Sequence, residues 1–285
     1  MGSRALPLAV VLAALLAAWL GAAVLMNLPQ ARDQADDDAT TAEVLAGTLA
    51  LDRPLLPAPQ QVSGAVWTGL FGAAPDSPRS LVYHAGVTAA AAALGFVLAL
   101  AGGGLLAVGI VHLRTWDRAL MPWVVASQTV PILAIAPMLI IVLGHLGLVG
   151  LLPKALIAGW LSFFPVTMAL VQGLRSPDRM QVDLLRTYGA GRRQVFAKLR
   201  WPAAMAFLFP GLKVAATLCL VGAIVAELPT GAQAGLGARL LTASYYGQPL
   251  QIWSALVVAA ALSLLAVGLV QAAQAAVALR RGGRL

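Results

Sequence analysis

Val182-Asp183-Leu184-Leu185-Arg186-Thr187-Tyr188-Gly189-Ala190-Gly191-Arg192-Arg193-Gln194-Val195-Phe196-Ala197-Lys198-Leu199-Arg200-Trp201-Pro202 is an island of charge in an otherwise apolar chain. It reads as two short helices, broken at Gly189 and Gly191 and closed before Pro202. Glycine suits the left-handed residue that follows a helix, and proline cannot continue one. In the first arm Val182, Leu185 and Tyr188 recur at helical spacing. In the second, Val195, Phe196 and Leu199 form one face, and Arg192, Arg193, Lys198 and Arg200 form another. A polar helical hairpin between apolar runs needs a partner outside the hydrocarbon. Two are open: anionic lipid beneath a basic amphipathic helix, or a groove on a cytoplasmic protein. The Gly-x-Gly break favours a defined shape, and with it the groove.

Working outward, the rest of the chain is membrane. It is 60% hydrophobic and 11% charged, with a mean hydropathy of +0.85, where a soluble domain carries roughly 25% charged residues. Crossing a hydrocarbon core of ~30 Å takes ~20 residues of helix. Runs of that length recur at 5–26, 81–111, 121–143, 151–173, 203–228 and 252–277. They lack period-2 alternation, so an all-α fold of about six spans is expected rather than a β-barrel. A net charge of +8 would suggest nucleic acid in a soluble protein. Here it reads as basic residues retaining loops in the cytoplasm, and no nucleic-acid partner is expected. The lone Cys219 lies inside an apolar run, where free cysteine packs as a small hydrophobe.

The first run competes with a signal peptide, but it ends in Val24-Leu25-Met26-Asn27 rather than a small-x-small site, so a retained N-terminal span over 1–26 is favoured. Residues 27–80 form a polar, extracytoplasmic loop holding Asp33, Asp36, Asp37, Asp38 and Glu43. The loop lacks the glycine and terminal glutamate of a calcium loop. Within it, Gln61 to Phe71 reads as an amphipathic helix with Val62, Val66, Leu70 and Trp67 toward lipid. A core of five spans covers 81–277 and carries the charged loop 175–202; a basic tail covers 278–285. Arg114, Asp117 and Arg118 make a short loop, and 229–251, with Gly231, Gly235 and Gly237, a longer one. The third span contains Ser127-Gln128-Thr129-Val130-Pro131 and then Pro137. Prolines free backbone carbonyls that must face protein or a water-lined cavity. Either a transport pathway is built there, or the helix is merely kinked and Gln128 bonds a neighbour.

Counted from an inside start, the inner segments hold thirteen basic residues, from Arg4 through the hairpin to Arg284, and the outer loops four: Arg32, Arg53, Arg79 and Arg239. That bias places both termini and the hairpin in the cytoplasm. His84, His112 and His145 are far apart, so no metal site is expected. No Walker lysine motif, nucleophile elbow or intramembrane carboxylate pair occurs. Glu227 is the one acidic residue at the edge of the spans. It suits a proton relay, the outer interface or a seal on a pathway.

The charged stretch resembles the cytoplasmic loop of ABC importer permeases. That loop's pattern is Glu-Ala-Ala, three residues, Gly, nine residues, Ile-x-Leu-Pro; here Asp183-Leu184-Leu185, Gly189 and Leu199-Arg200-Trp201-Pro202 stand at those positions. Only the Gly and the Pro are identical. Ser127-Gln128-Thr129-Val130-Pro131 through Pro137, Phe163-Phe164-Pro165 and Ile224-Val225-Ala226-Glu227-Leu228 are similar to signatures of the nitrate, sulfonate, taurine and vitamin-precursor branch. The resemblance covers about residues 80 to 275. It implies a type I importer permease in the bacterial cytoplasmic membrane, paired with a second copy. Two ATP-binding subunits would carry the ATP and magnesium, this chain having no cofactor, and an extracytoplasmic binding protein would deliver the solute. It further implies ATPase docking through Asp183, Leu184, Leu185, Tyr188, Gly189, Arg192, Arg193 and Pro202, and a pathway lined by Ser127, Gln128, Thr129, Pro131 and Glu227. The wording of the third span leans toward riboflavin-like or thiamine-precursor heterocycles over nitrate or sulfonates. A stand-alone secondary transporter or channel, or a membrane-embedded enzyme, are the other classes; for the enzyme, clustered nucleophiles and metal ligands are missing.

Overall fold

A computed structural model describes residues 5–36, 38–228 and 234–282. Arg4, Asp37, Gly231 and Arg284, used in the reading above, lie outside them. Among the described residues all regular structure is helical. In chain order the helices are α1 (Ala5–Asp33), α2 (Thr41–Thr48), α3 (Pro59–Phe71), α4 (Leu81–His112), α5 (Arg114–Ala126), α6 (Ile132–His145), α7 (Leu151–Arg175), α8 (Arg179–Thr187), α9 (Arg192–Val195), α10 (Trp201–Glu227), α11 (Leu236–Tyr245) and α12 (Pro249–Arg280). Five helical runs are long and apolar enough to cross a membrane: Leu6–Asp33, Leu81–His112, Leu151–Arg175, Arg192–Glu227 and Pro249–Arg280. A sixth candidate is a broken one, Arg114–Thr129 with Ile132–His145, bent by 103°. The all-helical membrane fold with about six spans is therefore as expected.

Five local readings change. The third run, 121–143, is not one continuous helix. Pro131, with φ −73° and ψ 94°, is extended backbone that ends one helix and starts the next. Arg114, Asp117 and Arg118 are not a loop but the first turns of α5. The segment 229–251 contains α11. The insertion at 27–80 is largely helical. α1 runs on to Asp33, and Thr40 and Glu43 close a capping box on α2. Val62, assigned to the lipid side of α3, is 3% exposed and packs inward, whereas Trp67 is exposed.

The chain divides into two compact units, residues 1–85 with 238–259 and residues 86–237 with 260–285. In the first, Asn27 is fully buried. Its amide nitrogen donates to the carbonyls of Thr48 and Leu56 at 3.1 and 2.9 Å, and its oxygen accepts from Leu56 N–H at 3.1 Å. The side chain thus supplies the bonds that irregular backbone needs once it leaves a helix.

The second unit is built on α7 packed along α10. Val166, Leu170 and Leu174 meet Leu208, Phe209 and Leu212 in its main cluster. In a membrane this association comes from close packing rather than from water, so small residues sit where backbones approach. A Cβ on Gly173 would lie 2.7 Å from Ala204 Cα, and one on Gly222 would lie 2.7 Å from Ala158 Cα. Cys219 is buried beside Ser162, to which its thiol donates at 2.9 Å.

Candidate functional site

The hairpin is built as the glycines dictate at one point and differently at another. Asp178 caps α8, its carboxylate accepting from Met180 N–H at 3.4 Å. At the other end Gly189 has φ +76°. Gly189 N–H donates to Arg186 O at 2.8 Å and Ala190 N–H to Leu185 O at 3.0 Å. This paired closure satisfies the last carbonyls of the helix and requires a left-handed residue. Gly191 has φ −70° and only caps α9, its N–H donating to Gln194 Oε1 at 2.9 Å.

Pro202 does not close the second arm. A π-helical turn, Phe196–Arg200, joins α9 to α10, and Pro202 sits in the first turn of α10. Proline lacks an N–H and its ring crowds the carbonyl four residues back. The wider π turn directly before it relieves that clash. Helix therefore runs unbroken from Arg192 to Glu227.

Val182 and Val195 are buried where the arms meet, with Leu185 and Phe196 half-buried. Tyr188 does not join Val182 and Leu185. It is the residue that ends α8, and it is 81% exposed. With Met180 and Leu184, also exposed, it forms a stripe at i, i+4 and i+8. Asp183 is exposed and pairs with Arg186 at 3.3 Å, and Arg192 and Arg193 are exposed. Arg175 at the end of α7 pairs with Asp117 of α5 at 2.9 Å.

At the helix break, Ser127 Oγ donates to Val124 O at 2.7 Å and Thr129 Oγ1 to Ala126 O at 2.8 Å. Both hydroxyls fold back on carbonyls of the preceding turn, beside the short 3-10 turn Ser127–Thr129. Gln128 is exposed, and no described protein group bonds its amide. Ser127 and Thr129 border a cleft of about 570 Å³. Trp123 lines it as well, together with Trp160 and Phe163, whose rings are 5.7 Å apart at 59°. No charged side chain lines the cleft.

Glu227 is elsewhere. It ends α10, is fully buried, and does not line that cleft. Thr88 Oγ1 donates to its carboxylate, at 3.1 Å to Oε1 and 2.9 Å to Oε2, and Gly237 N–H donates to Oε2 at 2.9 Å. Thr88 Oγ1 in turn accepts from Leu236 N–H at 2.8 Å. Lys154 Nζ stands 3.6 Å from Oε1 and donates to Ala234 O at 3.0 Å. Gly235, at φ +125°, passes so close that a Cβ there would overlap the carboxyl group. One carboxylate thus ties α4, α7 and the end of α10 to the start of α11. Reading the sequence missed Lys154 and Thr88. The available signal was that a lone lysine and a lone glutamate, each inside apolar runs, need one another.

Comparison with known proteins agrees with this architecture. The profile of the family described as "Binding-protein-dependent transport system inner membrane component" matches residues 95–282, more than half of the chain. The formylaminopyrimidine transport permease of Halalkalibacterium halodurans is 34% identical over 163 residues, 57% of this chain and 63% of that protein. The riboflavin transport system permease of Chloroflexus aurantiacus is 32% identical over 186 residues, 65% of each. The chain thus matches just under two thirds of the length of these two relatives. A probable ABC transporter permease of Haemophilus influenzae is 30% identical over 210 residues, 74% of this chain and 80% of the relative.

Proposed function

Because the chain belongs to the binding-protein-dependent transport inner membrane family, we propose that it is the permease of an ATP-driven importer of a small solute. In this reading it lies in the bacterial cytoplasmic membrane with both termini and the hairpin on the cytoplasmic side. Two copies pair, an ATP-binding subunit docks on each hairpin, and an extracytoplasmic binding protein hands over the solute. The chain itself performs no covalent chemistry.

The observation that carries the reading is the stripe of Met180, Leu184 and Tyr188. It is apolar and exposed, on a helix whose opposite side carries the buried Val182. A groove on a soluble partner is what such a stripe fits. Asp183, Leu185 and Gly189 adjoin it on the first arm, Arg193 opens the second arm beside Arg192, and Pro202 begins α10 beyond the π turn. The second arm is continuous with α10 in one helix, Arg192–Glu227, about 50 Å long at 1.5 Å per residue, so a displacement of α8 passes through the Gly189–Gly191 turn and then along a single helix to the Glu227 cluster. ATP-driven closure of the motor subunits would in this way rock the spans between outward and inward openings.

For the solute, the cleft bordered by Ser127 and Thr129, though not by Gln128 or Pro131, offers aromatic faces and hydroxyls, and no cation among the described residues lines it. That supports an uncharged planar heterocycle, the class to which riboflavin and the formylaminopyrimidines of the named relatives belong. Nitrate, taurine or a sulfonate, the other solutes of this reading, would call for a cationic partner on the anionic group.

The test is Gly189→Val in the assembled, reconstituted importer. A β-branched residue at φ +76° costs about 1–3 kcal/mol and deforms the closure of α8. Binding-protein-stimulated ATP hydrolysis should drop while the complex still forms. Full coupling in an intact complex would refute the docking role.

A further inference from the structure

We propose that the cleft between the hairpin arms and the end of α4 is a binding site for the phosphate of an anionic phospholipid. His112, Arg186, Arg192 and Arg200 line a cavity of about 530 Å³, and no carboxylate lines it. The wall is more polar than apolar, and its apolar part comes from Val111, Val182, Val195 and Phe196. Arg186 touches one acid, Asp183, at 3.3 Å on the exposed side. His112 Nδ1–H is spent on Val108 O at 2.9 Å, which leaves Nε2 as the ring's other polar atom. Its ring is held edge-on to Phe196, 5.2 Å away at 60°. Three guanidinium groups around one cavity match a phosphate's acceptor oxygens.

Depth decides the source of that phosphate. The apolar run of α4 ends at His112, and Arg200 immediately precedes the apolar run of α10. Both residues therefore stand where hydrocarbon gives way to headgroups. A lipid there places its phosphate against the arginines and its glycerol and upper acyl carbons against the valines. Basic pockets at the cytoplasmic ends of spans recognise lipid phosphates in this manner.

The cleft also leaves room for the docking face. Val182 and Arg186 lie one helical turn apart on α8, and the stripe of Met180, Leu184 and Tyr188 is offset from them by two residues, about 200° around the helix at 3.6 residues per turn. A protein on the stripe and a lipid in the cleft occupy opposite faces. The inference rests on the membrane placement of the hairpin and does not require that an ATPase binds the stripe.

The experiment reconstitutes the full chain into nanodiscs of phosphatidylcholine with or without phosphatidylglycerol and counts co-purifying lipid by native mass spectrometry. Wild type should retain phosphatidylglycerol in preference to phosphatidylcholine. Arg186→Gln with Arg200→Gln should lower that retention by at least about tenfold, since each removes a surface cation's attraction. Arg186→Lys with Arg200→Lys should keep most of it, and Arg179→Gln, outside the cleft, should keep all of it. Equal retention of the two lipids, or a neutralised variant that binds like wild type, would overturn the proposal. So would complete displacement of the lipid by millimolar inorganic phosphate, which would make this a free-anion site. Loss of the lipid on adding the ATP-binding subunits would instead assign the arginines to an acidic protein partner, and would equally overturn it.

Discussion

Replacing Lys154 by Met should destabilise the fold by about 3 kcal/mol. Removing one member of a buried ion pair costs about 3–5 kcal/mol, because the other charge is left without compensation. Two features place the value at the low end. The Nζ–Oε1 separation is 3.6 Å, longer than the ~2.7–2.9 Å of a charge-assisted hydrogen bond. The carboxylate also keeps the Thr88 hydroxyl and the Gly237 N–H. Glu227→Gln should cost less, about 1–2 kcal/mol. The Lys154 side chain is 14% exposed where that of Glu227 is 0%, so the orphaned ammonium reaches water and retains Ala234 O. Glutamine also preserves shape and one acceptor. The double variant should then cost less than the sum of the singles, with a coupling of about 1–3 kcal/mol. The assay is reversible unfolding of the full chain in mixed micelles titrated with a denaturing detergent, followed by tryptophan fluorescence. Additivity within about 0.5 kcal/mol, or a Glu227→Gln variant that is less stable than Lys154→Met, would refute the reasoning.

Three further outcomes follow from particular contacts. Gly103→Val should destabilise by about 1–3 kcal/mol, because its Cβ would lie 2.8 Å from Phe163 O, whereas Gly102→Val next to it meets nothing within 4 Å and should leave the same unfolding titration unmoved. Trp160→Ala should raise the KM for uptake of a heterocyclic solute by about three- to tenfold, as loss of one aromatic contact worth ~0.5–1.5 kcal/mol predicts; an unchanged KM in proteoliposomes removes the cleft from the pathway. Arg175→Gln should cost under about 1 kcal/mol despite a 2.9 Å contact with Asp117, since both partners are more than a third exposed and salt screens such pairs; a larger loss that persists in high salt would contradict that.

How far the sequence could be read depended on whether the determining interaction was local. The spans were visible because ~20 apolar residues cross a membrane whatever surrounds them. Gly189 was visible because a helix end, a glycine and a second arm lie within a few residues of each other. Other signals were equally local and were passed over. Thr40-Thr41-Ala42-Glu43 carries the threonine and glutamate of a capping box inside a stretch read as loop. Pro202 misled because proline was weighed as a terminator, when its position within the first helical turn lets it begin α10. The Glu227 cluster could not be assembled from spacing. Thr88 is 139 residues from Glu227, and only tertiary packing of α4 and α7 on α10 decides that they meet.

The same distinction bears on the hairpin and the two partners it could take. Its sequence left lipid and protein as rivals because a one-dimensional pattern assigns each residue to a single face. The folded hairpin has two. Closing the arms on Val182 and Val195 sets the exposed Arg186 and Arg192 beside the cleft with Arg200 and leaves Leu184 and Tyr188 on the other side. The drift from Glu-Ala-Ala to Asp183-Leu184-Leu185 then has a physical content: Leu185 supports the arm-to-arm contact, while Leu184 adds bulk to the outward stripe. A second permease chain with Ala at position 184 would present a flatter surface to its motor subunit. Leu184→Ala should therefore weaken docking of this chain's own ATPase, whereas Leu185→Ala should loosen the hairpin itself. Measuring motor-subunit affinity beside protease resistance of the 175–202 loop separates the two, and identical effects on both readouts would show that the faces are not independent.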